Sequence, residues 1–261
     1  MSERDKILRF YRASGDEDLA ARLLDLAEGA LKNGKYKVSE FLDPYGFTIA
    51  ETVAAHFDRL HLESDGGYPG AERVKAIFCD HNFEGKTITG ITALSIGWDK
   101  RYYQISHRDV LGSLMGLGIK REVTGDIIMT PVGCQLLIDA AMREFIMNNL
   151  TRIGSAPVTI TEIKLEEIAP REEKVKEIRT TVSAMRLDVI AAAGFGTSRT
   201  KMSADISADK LKVNWQEAKN SAQPIKAGDI VSMRGRGRLE VCEVLGQTKK
   251  GRISLLLKRY L

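Results

Sequence analysis

Six cations, Arg186, Arg199, Lys201, Arg234, Arg236 and Arg238, fall within the stretch from Met185 to Val244, among the signatures of short helices and strands. A chain cannot bury that many charges, so they must decorate a surface, and the chemistry such a surface offers is the holding of a polyanion. The run RGRGR from Arg234 to Arg238 sharpens this reading. Alternate arginines in a strand project from one face, and the intervening glycines let a phosphate backbone come close. The same run also reads as a flexible hairpin turn between Val231 and Leu239.

The elements that must position these side chains are legible around them. Arg186, Leu187 and Asp188 open a helix whose apolar positions Leu187, Ile190 and Ala191 share a face, with Gly194 as a left-handed C-terminal cap. A second short helix begins near Thr197 or Ser198, where either hydroxyl can cap free backbone amides and place Arg199 and Lys201 in the first exposed turn. Strand signatures follow at Leu211 and Val213, Ile230 to Met233, and Leu239 to Val244. Charge is distributed accordingly. Residues 171–261 carry 19 Lys and Arg against 10 Asp and Glu, while residues 1–170 carry 20 against 25. An asymmetry of this size marks a polyanion-binding end.

The ordered set RLD, TSR and AGDIV resembles the alpha-L RNA-binding domain, the S-four type. The resemblance implies a basic helix-loop-helix face that grips structured RNA through phosphates and shape. It implies RNA contacts at Arg186 and Arg199, and at Asp188 beside them; the basic pattern of the residues themselves adds Ser198, Lys201, Arg234, Arg236 and Arg238 as RNA-binding candidates. Taken singly, RLD and SR are ordinary helix caps; their order is what carries the RNA reading.

The first 72 residues read as a helical domain. Asp16, Glu17 and Asp18 start a helix, Leu19, Leu23, Leu24, Ala27 and Leu31 form its apolar stripe, and Asn33-Gly34 ends it. A further helix is predicted from about Ile49 to Leu60, after a break at Pro44 and Gly46. The segment SDGGYPGAER, Ser64 to Arg73, reads as a linker or functional loop and lacks the spacing of a phosphate-binding loop. Residues 73–170 change to a mixed pattern. Strands are predicted at Val74–Phe78, Ile91–Ile96, Ile127–Thr130 and Val158–Ile163, with helices at Ser106–Leu117 and Gln135–Leu150. The fold class is therefore α+β, with a central small α/β sandwich of the split βαβ, RRM-like type between the helical part and the basic domain at 180–261. In the central motif Ser106 and Asp109 form a capping-box variant, and Gly112 and Gly116 lie one turn apart where another backbone can approach.

The stretch HRDVLGSLMGLGIKREVTGDI, joined to GGYPGAER upstream and the alpha-L pattern downstream, resembles the YlmH family of bacterial ribosome-associated proteins over nearly the whole chain. This implies three parts: 1–72, a central RNA-binding domain at 73–170, and the alpha-L domain at 180–261. It also implies binding to ribosomal RNA and peptidyl-tRNA on the large ribosomal subunit, in support of quality control of stalled nascent chains. His107, Arg108, Lys120 and Arg121 form a second candidate RNA surface; capping and solvation explain them as readily.

Other chemistries find little footing. Alpha-L domains are often fused to pseudouridine synthases, whose catalytic motif also contains Arg-Leu-Asp, but here RLD lies within the alpha-L pattern and is followed by VIAAAG. His56, His61, His81 and His107 offer no i,i+4 ligand pair, and Cys79 with His81 supplies two ligands where a metal site needs more. No catalytic residue, metal or cofactor is called for. Three cysteines, Cys79, Cys134 and Cys242, are odd in number and far apart, so they are expected as buried thiols. With 261 residues, 43% of them hydrophobic, the chain can bury a substantial core. No apolar run reaches membrane-spanning length, and the protein is expected to be a cytoplasmic monomer. The alternative reading is a protein-interaction adaptor linked to cell division.

Overall fold

The computed structural model describes residues 3–169 and 175–260. The chain divides into two compact units, split between positions 171 and 172.

The first unit opens with α1 (Glu3–Arg12) and α2 (Glu17–Asn33), then β1 (Tyr36–Leu42), α3 (Pro44–Ala54), β2 (Leu60–Asp65) and β3 (Val74–Asp80). The expected stripe of α2 faces inward: Leu23, Leu24 and Ala27 are buried, and Gly34 at φ 57° ends the helix in the left-handed conformation. The helices are joined by strands that the sequence pattern does not separate from them. β1, β3 and β2 form an antiparallel sheet in that order, so the strand expected at Val74–Phe78 is the central strand here rather than part of the next sheet. The helix expected at Ile49–Leu60 instead starts at Pro44. Asp43 caps it by accepting from the Gly46 amide at 2.8 Å, and proline is favoured at the first helical position, where no amide is needed. The Ser64–Arg73 segment connects β2 to β3 and is pinned at its far end. The Asp126 carboxylate accepts from the Tyr68 hydroxyl at 2.7 Å and from the Glu72 and Arg73 amides at 2.7 and 3.2 Å.

Next come β4 (Ile91–Gly97), α4 (His107–Gly116), β5 (Thr124–Thr130), β6 (Gly133–Asp139), α5 (Arg143–Asn149), the two-residue strands β7 (Arg152–Ile153) and β8 (Ala156–Pro157), and β9 (Thr159–Ile163). The sheet order is β5-β6-β4-β9, with all neighbours antiparallel. β4 therefore runs parallel to β5 with β6 between them, and β6 parallel to β9 with β4 between, giving two interlocked split βαβ units. Val110, Leu114 and Ile146 bury the two helices against one face of this sheet. The helix expected at Gln135–Leu150 is shorter, because GCQLLID forms β6; a buried apolar run as short as Leu136–Ile138 does not distinguish strand from helix by period. Gly112 and Gly116 lie on the exposed side of α4 with nothing near them, so no backbone approaches there. Cys79 and Cys134 are buried, and burial pushes the Cys134 thiol up to about 12. Cys242 in the second unit is half-buried.

The second unit comprises β10 (Val175–Val182), α6 (Leu187–Phe195), α7 (Arg199–Ser207), β11 (Leu211–Val213), β12 (Gln216–Glu217), β13 (Ile230–Met233), β14 (Gly237–Gln247) and β15 (Ile253–Tyr260). Its antiparallel sheet has the order β10-β15-β14-β13-β11-β12, and Leu187, Ile190, Met202 and Ile206 pack the helical pair onto Leu239, Val241, Leu255 and Leu257. α6 ends at Gly196 (φ 66°) rather than Gly194. Gly194 is a contact residue. A Cβ there would stand 2.2 Å from Leu239 Cδ2, so helix and sheet approach closely because it has none. Among the described residues no helix is long and apolar enough to cross a membrane.

Candidate nucleic-acid interface

The start of α6 is bolted to the loop before β13. The amides of Leu187 and Asp188 donate to the carbonyls of Gln223 and Ser221 at 2.9 and 3.0 Å, and Ile225 donates to Met185 at 3.0 Å. With those helix-terminal donors occupied, the Asp188 side chain caps nothing. Instead its carboxylate, only 3% exposed as a residue, gathers two guanidiniums. Arg186 reaches it through Nε and Nη2 at 3.1 and 3.3 Å, and Arg199 through Nη2 and Nε at 2.7 and 3.3 Å. The two arginine side chains remain 42% and 56% exposed. Each guanidinium thus has one side fixed on the buried acid and keeps outward N–H donors for an anion.

Asp188 therefore holds the pair Arg186 and Arg199, the residues at which the sequence pattern places RNA contacts. Burial raises its pKa, but the hydrogen bonds from Arg199 and then Arg186 outweigh this and hold the carboxyl below the usual carboxylate range. A depressed folded pKa contributes stability that is present above the unfolded value of about 3.9 and is lost as pH falls through the folded value. NMR titration of the Asp188 carboxyl should accordingly place its midpoint below about 3.9. A midpoint at or above that value would mean that the arginines do not hold it in solution.

Ser198 caps α7 as expected, accepting from the Lys201 amide at 3.2 Å, so Arg199 and Lys201 both lie in the exposed first turn. A second acid organises the cations beyond. Asp205 is 8% exposed and accepts from Lys210 Nζ at 2.7 Å; that bond, followed by the charges of Lys210, Lys201 and Arg236, lowers its pKa.

The RGRGR run is a turn, not a strand with one arginine face. Gly235 and Gly237 take φ of 78° and 85° between β13 and β14, and a Cβ on Gly237 would lie 2.3 Å from the Tyr260 carbonyl oxygen. The three arginines diverge. Arg234 is exposed, Arg236 Nη1 donates to the Phe195 carbonyl at 2.9 Å at the end of α6, and Arg238 lies 5.5 Å from the centre of the Tyr260 ring. A cation on the last carbonyls of a helix is favourable in its own right, so Arg236 serves the fold first.

On the first unit, Ser106 and Asp109 form the expected capping box: the Ser106 amide donates to the Asp109 carboxylate at 2.9 Å, and the Asp109 amide to Ser106 Oγ at 3.4 Å. This places His107 and Arg108 in an exposed first turn, and Lys120 is exposed as well. Arg121 departs from the expected surface. Its guanidinium turns inward beside Arg73, and burial, then the Arg73 charge, lowers its pKa to about 10. The segment WDKRYY at residues 98–103 carries no motif that marks it in the sequence, yet aromatic and cationic residues interleave there in the manner of nucleic-acid surfaces.

Three family descriptions match the chain: "YlmH, N-terminal" over residues 15–82, "Putative RNA-binding domain in YlmH" over 89–167, and "S4 domain" over 185–231. The last contains Arg186, Asp188, Ser198, Arg199 and Lys201, while Arg234, Arg236 and Arg238 lie beyond it. The chain is 31% identical over 226 residues to "Ribosome-associated protein quality control protein P2" of Bacillus subtilis, covering 86% of this chain and 88% of that relative. Among solved structures it is similar to "Cell division protein ylmH from Streptococcus pneumoniae", with a TM-score of 0.51 and 20% identity, over 59% of this chain and 95% of that one. At that identity the likeness concerns the fold alone.

Proposed function

The chain belongs to the YlmH family, and from that premise we propose that it binds ribosomal RNA and peptidyl-tRNA on the large ribosomal subunit. It acts there as a cytoplasmic monomer, supporting quality control of stalled nascent chains. The observation that carries the RNA reading is the Asp188-held pair Arg186 and Arg199 within the S4 match: two half-exposed guanidiniums fixed by a buried acid, at the end of the chain with the positive charge. Preorganised arginines of this kind suit phosphate oxygens, because the planar fork loses little freedom on binding. The name of the Bacillus subtilis relative supports the ribosome as the place. The same geometry supports a binding role, since Asp188, the acid of the RLD motif, is buried under two arginines.

A chain with RNA-facing surfaces on each of two units gains effective concentration on a large composite target. Full-length protein should therefore co-sediment with large subunits through a sucrose gradient, with enrichment when nascent chains are stalled and peptidyl-tRNA stays bound. Protein that remains at the top of the gradient at low salt, with or without stalling, would sink the ribosomal reading and favour an adaptor.

A further inference from the structure

The turn leaving β4 is built around Asp99. Its Oδ1 accepts from the Arg101 amide and Nε, both at 3.0 Å, and its Oδ2 from Arg101 Nη2 at 2.7 Å. Its carbonyl accepts from the amides of Tyr102 and Tyr103 at 3.2 and 3.1 Å. So fixed, the turn holds Tyr102 out in solvent, 76% exposed, with the Arg101 guanidinium 5.5 Å from its ring centre. Lys100 Nζ sits 5.5 Å from the Trp98 ring centre and donates to the Thr130 carbonyl at the β5–β6 hairpin. His107 and Arg108 follow closely in the chain on the exposed first turn of α4.

A tyrosine this exposed contributes little to its own core, yet the backbone and side-chain bonds of Asp99 leave its surroundings well ordered. We propose that this turn is a stacking platform for an unpaired RNA nucleotide, whose base lies on the Tyr102 ring face opposite Arg101 while Lys100 and Arg108 take the adjoining phosphates. The chemistry favours RNA over protein, because the exposed Tyr102 ring and the buried Trp98 ring each have a cation beside them and the one on Trp98 is a lysine, a residue depleted at the centres of protein docking patches. It selects unpaired over duplex RNA, because bases in an A-form helix are already stacked and only a splayed base can offer its face to a side chain. This rests on the RNA-binding reading above and adds the residues and the ligand class on the first unit.

The test uses the full chain with two probes, an oligouridylate dodecamer carrying 5-iodouridine and a blunt RNA duplex of equal length. Photocrosslinks from the dodecamer should map within residues 98–108. Tyr102→Ala should weaken dodecamer binding about five- to tenfold, Tyr102→Phe should bind as the native protein does, and neither should alter duplex binding. Because Tyr102 is exposed, both variants should unfold at the native temperature. Unchanged dodecamer affinity in Tyr102→Ala, with duplex binding retained, would overturn the platform and leave the RNA reading standing; a chain that binds neither probe would overturn both. If Tyr102→Ala weakened co-sedimentation with ribosomes but affinity for neither RNA, the turn would meet a ribosomal protein and the proposal would fail.

Discussion

Replacing Arg186 and Arg199 together with alanine should weaken binding to structured RNA by about a hundredfold or more at moderate salt, taking one charge-assisted hydrogen bond lost per arginine at about 1.5 kcal/mol, the low end of the usual range. The salt dependence should also become shallower, by roughly 0.7 to 0.9 log units per log unit of salt for each phosphate no longer neutralised. The structure adds a complication that exposure alone hides. Both arginines are half-exposed, and such residues usually tolerate substitution, but their shared partner Asp188 is buried. The double variant strands that carboxylate without a cation, and should lose roughly 1–3 kcal/mol of stability as well. Adding Asp188→Asn to the pair removes the stranded charge and should recover much of the stability while leaving RNA affinity low. Recovery of both together would show that the arginines act on folding and not on RNA.

Helix starts and stops around the interface could be read because they depend on local chemistry: Ser198 caps α7 and Gly34 ends α2 at the positions their residue types favour. The split βαβ class is legible in the alternation of strands and helices, but its strand set is not: Val74–Phe78 belongs to the other sheet, and Gly133–Asp139 supplies the strand in its place. What sequence could not supply was partnership across the fold. Asp188 looks like a helix-start residue in one dimension, and only the loop carbonyls of Ser221 and Gln223, which occupy the helix amides, free its side chain for two arginines. RGRGR has a strand's alternation, and the positive φ of Gly235 and Gly237 turns it into a reversal that sends the arginines apart. Arg121 has a surface residue's composition, and its burial depends on Arg73, 48 positions away in the chain, whose Nη2 donates to its carbonyl at 3.0 Å. The strand β6 reads equally as helix because a run as short as Leu136–Ile138 carries no period that separates the two.

The same Arg73 supports the largest stability effect we expect from one substitution. It is 8% exposed, and its guanidinium ties the end of β1 to the segment entering β5: Nε donates to the Thr124 carbonyl at 2.8 Å, and Nη2 to those of Phe41 at 2.8 Å and Arg121 at 3.0 Å. Burial lowers its pKa, with the charges of Asp43, Asp126, Glu122 and Glu72 opposing that shift, so the ion is kept by surrounding acids and carbonyls together. Arg73→Ala leaves three carbonyls without their donor, a cost tempered by relief of the repulsion on Arg121; the net loss should be about 3–5 kcal/mol. Arg73→Lys should recover little, because a single ammonium lacks the planar fork that reaches three separated oxygens. The two tryptophans make the effect separable, since Trp98 lies in the first unit and Trp215 in the second. In Trp215→Phe protein, guanidinium unfolding followed by Trp98 fluorescence should shift sharply with Arg73→Ala. In Trp98→Phe protein, the Trp215 transition should stay in place. A Trp98 shift worth less than about 1 kcal/mol would mean that water replaces the guanidinium on those carbonyls. The two sheets of the first unit would then be held by their apolar packing and the Asp126 bonds.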